Sequence, residues 1–147
     1  MINQILTDAT TCPSAFFWRG PLLLAGIEQW EATNGIHAPQ DLKELWATTG
    51  GGDIFESETI LQPFGVADDD MVVPVSKMFW DHGLSKEHYV FHTGLWISVF
   101  RESDSKLLNL NSDMRVLDRF SNLDDWYRDT LRSEYAESYG LSKKLNP

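Results

Sequence analysis

Apolar residues in this chain recur at two different periods, and glycines mark most of the places where one period gives way to the other. Leu23, Ile27 and Trp30 step along by three and four positions before Asn34-Gly35, which predicts a helix over residues 22–34. Leu42, Leu45, Trp46 and Thr49 share one face of a second helix over 39–49, with Pro39 in its first turn and Gly50-Gly51-Gly52 at its end. From Asp53 the pattern turns extended. Ile54, Glu56 and Glu58 alternate with Phe55, Ser57 and Thr59, and a turn follows at Pro63-Phe64-Gly65. Asp68-Asp69-Asp70 then leads into a helix over 72–82 stopped by Gly83. Pro74 is tolerable only near its beginning, and the three acids suit the positive end of its dipole.

The second half reads as a meander. Strands are expected at 88–92, 95–100, 107–110 and 114–117, with turns at Thr93-Gly94 and Asn111-Ser112-Asp113. In the second of these, Leu95, Ile97 and Val99 fall on one face and Trp96, Ser98 and Phe100 on the other. Both faces are partly apolar, so helices must cover at least one side of the sheet. A last helix opens at Ser121, whose spacing to Asp124 is that of a capping box. It carries Leu123, Trp126, Tyr127, Thr130 and Leu131 on one face, with Asp124 one turn before Arg128. Residues 1–20 hold the aromatic run Phe16-Phe17-Trp18 and are expected to pack on the body as an N-terminal extension, while 142–147 is expected to fray. A chain of 147 residues suffices for one domain that buries ~70% of its unfolded surface. The expected fold class is α+β: a single domain with an antiparallel meander β-sheet flanked by helices.

The order of Glu31, Gly35, Pro39, Leu42, Leu45, Gly50 and Gly51 across the first two helices resembles the SUKH superfamily, the Smi/Knr-like domain. The likeness continues more loosely to about Phe100 and again at the last helix, and leaves out the first twenty residues. Ala38 stands where that family usually has leucine, and Thr49 where it usually has asparagine. The resemblance implies the same α+β meander. It also implies a protein-binding role, because bacterial members commonly serve as immunity proteins that bind and block toxins, many of them nucleases.

Charge narrows the partners. Twelve Lys+Arg against 22 Asp+Glu leave a formal charge of −10. Nucleic-acid binding is not expected, since phosphate contacts need clustered cations; an acidic surface instead speeds encounter with a basic protein. The single Cys12 can form no internal disulfide, which suits a reducing compartment. No basic segment followed by an apolar run opens the sequence, and the apolar patch at 21–26 is far short of the ~20 residues of a membrane span. A cytoplasmic protein without membrane contact is expected.

The usual signatures of chemistry are missing from the sequence. The triple glycine ends a helix rather than opening one, so it is not a phosphate loop. His88 and His92 fall on the same face of an expected strand ~13 Å apart, too far for one metal, and His37 and His82 have no partner at ligand spacing. No GxSxG elbow is present, Cys12 has no base nearby in sequence, and Asp68-Asp69-Asp70 lacks the spaced ligands of a calcium loop. No catalytic, cofactor or metal residue is therefore assigned.

One asymmetry remains. Between Lys43 and Lys77 there is no Lys, Arg or His, yet seven acids. Asp53, Glu56, Glu58, Asp68, Asp69 and Asp70 are expected to be exposed there, either as a solvated face or as a docking surface for a basic protein, with Trp96 (or Phe55 or Phe64) as an apolar anchor. The leading expectation is a non-catalytic immunity-type protein that occludes the basic site of a toxin domain. The alternatives are an intracellular regulatory or scaffolding module, and an enzyme whose distant carboxylates converge with His82 or His88.

Overall fold

Glycine, turn and proline placement decide where this chain reverses, and the reversals build one continuous sheet. The computed structural model describes residues 2–141, so the tail expected to fray at 142–147 lies outside the described residues. Seven strands run in the order β1 (Phe16–Trp18), β2 (Gly52–Ile54), β3 (Glu58–Ile60), β4 (His88–Thr93), β5 (Ile97–Arg101), β6 (Leu107–Leu110) and β7 (Val116–Phe120). Each pairs antiparallel with its predecessor. The helices are α1 (Asn3–Thr11), α2 (Leu24–Asn34), α3 (Gln40–Thr49), α4 (Val72–Trp80) and α5 (Leu123–Tyr127), which runs on through a π-helical turn, Arg128–Arg132, into α6 (Ser133–Tyr135). The fold is the expected α+β meander with flanking helices, and its buried apolar side chains form one core.

The pair α2–α3 follows the pattern that predicted it. Ile27, Trp30, Leu42, Leu45, Trp46 and Thr49 are all buried, whereas Leu23, placed by periodicity on the same stripe, lies before the helix and is 82% exposed. Glu31 ties the helices together: one carboxylate oxygen accepts from the Ala38 amide at 3.0 Å and the other from Lys43 at 3.2 Å. Trp46 donates through Nε1 to Leu61 O at 2.8 Å and meets Trp30 edge-on at 5.5 Å. Gly50 caps α3 in the left-handed region, and a Cβ there would stand 1.9 Å from Gly20 O. A Cβ on Gly52 would stand 2.1 Å from Phe17 O. The glycine triplet thus stops a helix and also lets the segment at 17–20 cross directly over it.

The extended run after Asp53 is a hairpin rather than one strand. Phe55 and Glu56 take positive φ values of 52° and 68° at its tip, a conformation costing roughly 1–2 kcal/mol per residue. Burial of Phe55 against Phe16, Tyr127, Tyr135 and Tyr139 offsets that cost. Further on, Gln62 and Met71 form a bridge that closes the base of a loop, and α4 leaves from it. Helix α4 then runs along the part of β4 that β3 does not reach. Ser76 Oγ accepts from the Val90 amide and Trp80 Nε1 donates to His88 O, both at 2.8 Å.

Three expectations shift in register. Leu95 and Trp96 belong to the turn before β5, so the strand begins at Ile97, and β7 begins at Val116 rather than 114. A bulge at Phe91 moves the pairing from Val90↔Val99 to His92↔Ser98, which sends His88 and His92 to opposite faces instead of one. The cap of α5 is Asn122, which accepts from the Asp125 amide at 2.8 Å, so Arg128 pairs with Asp125 and Asp124 is free to accept from the Gln4 amide. The N-terminal segment is more than a packed extension. Helix α1 is pinned by Asp8, buried with Tyr127 at 2.6 Å and Arg132 at 2.8 Å, and β1 adds an edge strand.

Candidate functional site

The loop closed by the Gln62–Met71 bridge places a short turn, Asp68–Asp70, beside the N-terminal half of α4. Helix α4 is apolar around more of its circumference than it buries. Val72, Val75 and Ser76 face inward, while Pro74 and Phe79 are half-buried and Met78 is 52% exposed. Between turn and helix lies an open groove of ≈440 Å³. Pro74, Val75, Met78 and Phe79 supply its apolar surface, Thr93 also lines it, and the exposed Asp68 and Asp69 form its acidic rim. Neither rim acid has an ion-pair partner among the described residues.

The remaining acids of the cation-free stretch separate into different environments. Asp70 is half-buried in an ion pair with Arg19 at 2.9 Å. Asp53 is half-buried in the cross-strand row Phe17–Asp53–Thr59 and accepts from Thr59 Oγ1 at 2.9 Å. Glu56 is exposed at the hairpin tip. Trp96 is half-buried in the β4–β5 turn. Among the aromatic anchors considered beside it, Phe55 is 2% exposed and belongs to the core.

Glu58 overturns the expectation that placed it on an exposed edge: it is 1% exposed. Its side chain lies under the β4–β5 turn, close enough that a Cβ on Gly94 would meet Oε1 at 2.2 Å. The Leu95 amide donates to both carboxylate oxygens at 3.2 and 3.1 Å, Tyr135 donates at 2.9 Å, and His92 Nε2 lies 2.8 Å from Oε1. Burial pushes the Glu58 carboxyl up, but His92, Tyr135 and the Leu95 amide together hold it below its ordinary value. Burial pushes the His92 imidazole down, with Glu58 opposing. The two titrate as one unit.

The chain of contacts continues from His92 Nδ1 to Ser98 Oγ at 2.9 Å, which gives acid, imidazole and hydroxyl the order of an acyl-transfer triad. Its surroundings give it another role. Ser98 Oγ also lies 2.7 Å from Asn109 Oδ1 and accepts from Trp126 Nε1 at 3.0 Å, so its hydroxyl is held inside a polar network of the core. Asn109 in turn donates to Thr130 at 2.8 Å. His92 and Ser98 are both 0% exposed. This network joins β3, β4, β5, β6 and the last helix through satisfied polar groups. His82 and His88, the histidines considered for an enzymatic site, do not join it. His82 is exposed and contacts Met78 O, and His88 lies on the other face of the sheet.

Among the described residues no group of three His, Cys, Asp or Glu side chains is placed to hold a metal ion, and no helix is long and apolar enough to cross a membrane. No protein-family model matches the chain, and no curated protein sequence is similar to it. Among solved structures it is similar in fold to a protein from Pseudomonas syringae pv. tomato, with a TM-score of 0.63, 17% identity, and coverage of 85% of this chain and 96% of that one.

Proposed function

We propose that this chain is a protein-binding domain of the SUKH type, acting as an immunity protein that occludes the basic active site of a toxin domain. The observation that carries this reading is the groove between the Asp68–Asp70 turn and α4, where exposed Met78 and half-buried Pro74 and Phe79 lie beside two acids that have no cation partner among the described residues. A basic nuclease site is built to take phosphates, and carboxylates of a tightly docked protein can stand in the same places and bar the substrate. Asp53 and Glu56 at the β2–β3 hairpin extend the negative surface. Glu58 is not part of the contact set, because its carboxylate holds the core together, and Asp70 contributes less than its neighbours because Arg19 neutralises it. The glutamate, proline and glycine positions that resemble the SUKH pattern each have a structural task around α2 and α3, which fits a shared scaffold with a variable docking face.

Capture by the tagged chain in its own cells, followed by identification of the bound protein and an assay of its activity, tests the reading. A basic partner whose activity falls in stoichiometric proportion to added chain is the expected result. A partner that is acidic, or whose activity is untouched at saturation, overturns it.

A further inference from the structure

We infer that the groove beside α4 receives an amphipathic helix of the basic partner, with an apolar side chain seated on Met78 and Phe79 and a Lys or Arg one turn away reaching Asp68 and Asp69. This inference rests on the protein-binding reading above and specifies what docks and where.

The groove's ≈440 Å³ lies within the roughly 300–1,000 Å³ range of natural ligand pockets. It is open to solvent rather than enclosed, so a segment of another protein can reach its floor. Its most exposed apolar side chain is Met78, at 52%. Methionine is unbranched and polarizable, so it adapts to whatever is pressed against it and recurs in grooves that hold helices. Met78 sits on a rigid support: α4 is fixed to β4 through Ser76 and Trp80, so a ligand need order little of the receiving surface.

Charge selects the occupant. Asp68 and Asp69 stand at the rim of an apolar surface, where an incoming ammonium or guanidinium would be partly desolvated and its attraction strengthened. A second copy of this chain is a poor occupant, since each carries a formal charge of −10 and the rim would meet like charge. An acidic or neutral helix would leave the carboxylates facing no cation. An apolar residue and a cation at i and i+4 lie on one face of a helix, so a single segment can present both to a groove lined by Met78 and the acidic turn.

The four methionines allow a direct test on the intact protein. The chain is labelled with ε-13C-methyl methionine and titrated at low salt with a synthetic helical peptide of leucine and lysine, and with the same peptide carrying glutamate for lysine. The lysine peptide is expected to move the Met78 methyl signal more than those of Met71 and Met114, and the glutamate peptide to leave it in place. Met78→Lys, a change at a half-exposed helix position that the fold tolerates, should weaken binding by about tenfold or more. Asp68→Asn with Asp69→Asn should weaken it several-fold. If the lysine peptide binds, read by the fluorescence anisotropy of a dye on the peptide, while the Met78 methyl stays silent, the groove is the wrong place and the acidic-docking reading survives. If no basic peptide binds even at low salt, both fall.

Discussion

Replacing Glu58 distinguishes a carboxylate that holds the fold from one that meets a partner. Its two oxygens accept from the Leu95 amide, Tyr135 and Ser57 and pair with His92 at 2.8 Å, all beneath a turn that leaves the side chain 1% exposed. Alanine would strand those donors, and each buried donor left without an acceptor costs about 1–3 kcal/mol. Glutamine keeps the length and one acceptor oxygen but loses the charge. Hydrogen bonds to a charged group contribute about 1.5–3 kcal/mol against about 0.5–1.5 for neutral ones, so its expected cost is about 1–3 kcal/mol. Urea titration followed by tryptophan fluorescence reads both, because Trp126 lies 5.1 Å from the His92 ring. The partners hold the folded carboxyl below its ordinary value of 4.5. The stabilisation is therefore complete above about pH 4.5 and is lost as pH falls through the lower folded value. The stability gap between the native protein and Glu58→Gln should close once pH falls below the folded carboxyl's value, where both proteins carry a neutral group at position 58. An alanine variant within ~0.5 kcal/mol of the native protein at neutral pH, or a gap to Glu58→Gln that persists undiminished in strong acid, would refute the reasoning.

Gly50→Ala should lower the thermal midpoint by several degrees, because the left-handed backbone costs roughly 1–2 kcal/mol and the new Cβ would stand 1.9 Å from Gly20 O; an unchanged midpoint would contradict that crossing. Asp8→Ala should cost roughly 1–3 kcal/mol by removing the acceptor that Tyr127 and Arg132 share. Hydrogen exchange should then show residues 3–11 losing protection ahead of the sheet, and uniform loss would speak against Asp8 as the clasp. Asp68→Asn with Asp69→Asn should leave the urea midpoint unchanged, since neither side chain holds the fold; a clear loss of stability would return these acids to a structural role.

Helices with a single apolar stripe were legible in the sequence, and so were the turns that glycine enforces. Ile27 with Trp30, and Leu42 with Leu45 and Trp46, supplied the stripe for α2 and α3, and Gly35 and Gly50 supplied their ends. Helix α1 was not legible because part of what it buries is polar: Gln4 and Asp8 pack inward beside Ile5, held by partners more than a hundred residues away. The β2–β3 reversal carries Phe55 and Glu56 at positive φ, where no Asn-Gly or Asp-Gly signals a turn; distant tyrosines stabilise it. Ser121 and Asn122 are both able to cap a helix, and only packing decides between them. The Glu58–His92 pair spans 34 positions, and the bulge at Phe91 that orients His92 leaves no mark on the local pattern. The acidic rim was visible as a charge asymmetry. The groove beneath it had a fainter signal in a helix that is apolar beyond one face, through Pro74, Met78 and Phe79.

The association rate with the protein recovered from the cell, measured by stopped flow from about 0.05 to about 0.5 M salt, tests the docking claim most directly, because exposed charges are screened across that range. The account predicts a rate that falls steeply with salt, a lower rate and shallower slope for Asp68→Asn with Asp69→Asn, and no change in slope for Glu58→Gln. A rate independent of ionic strength and indifferent to the two rim acids would contradict it.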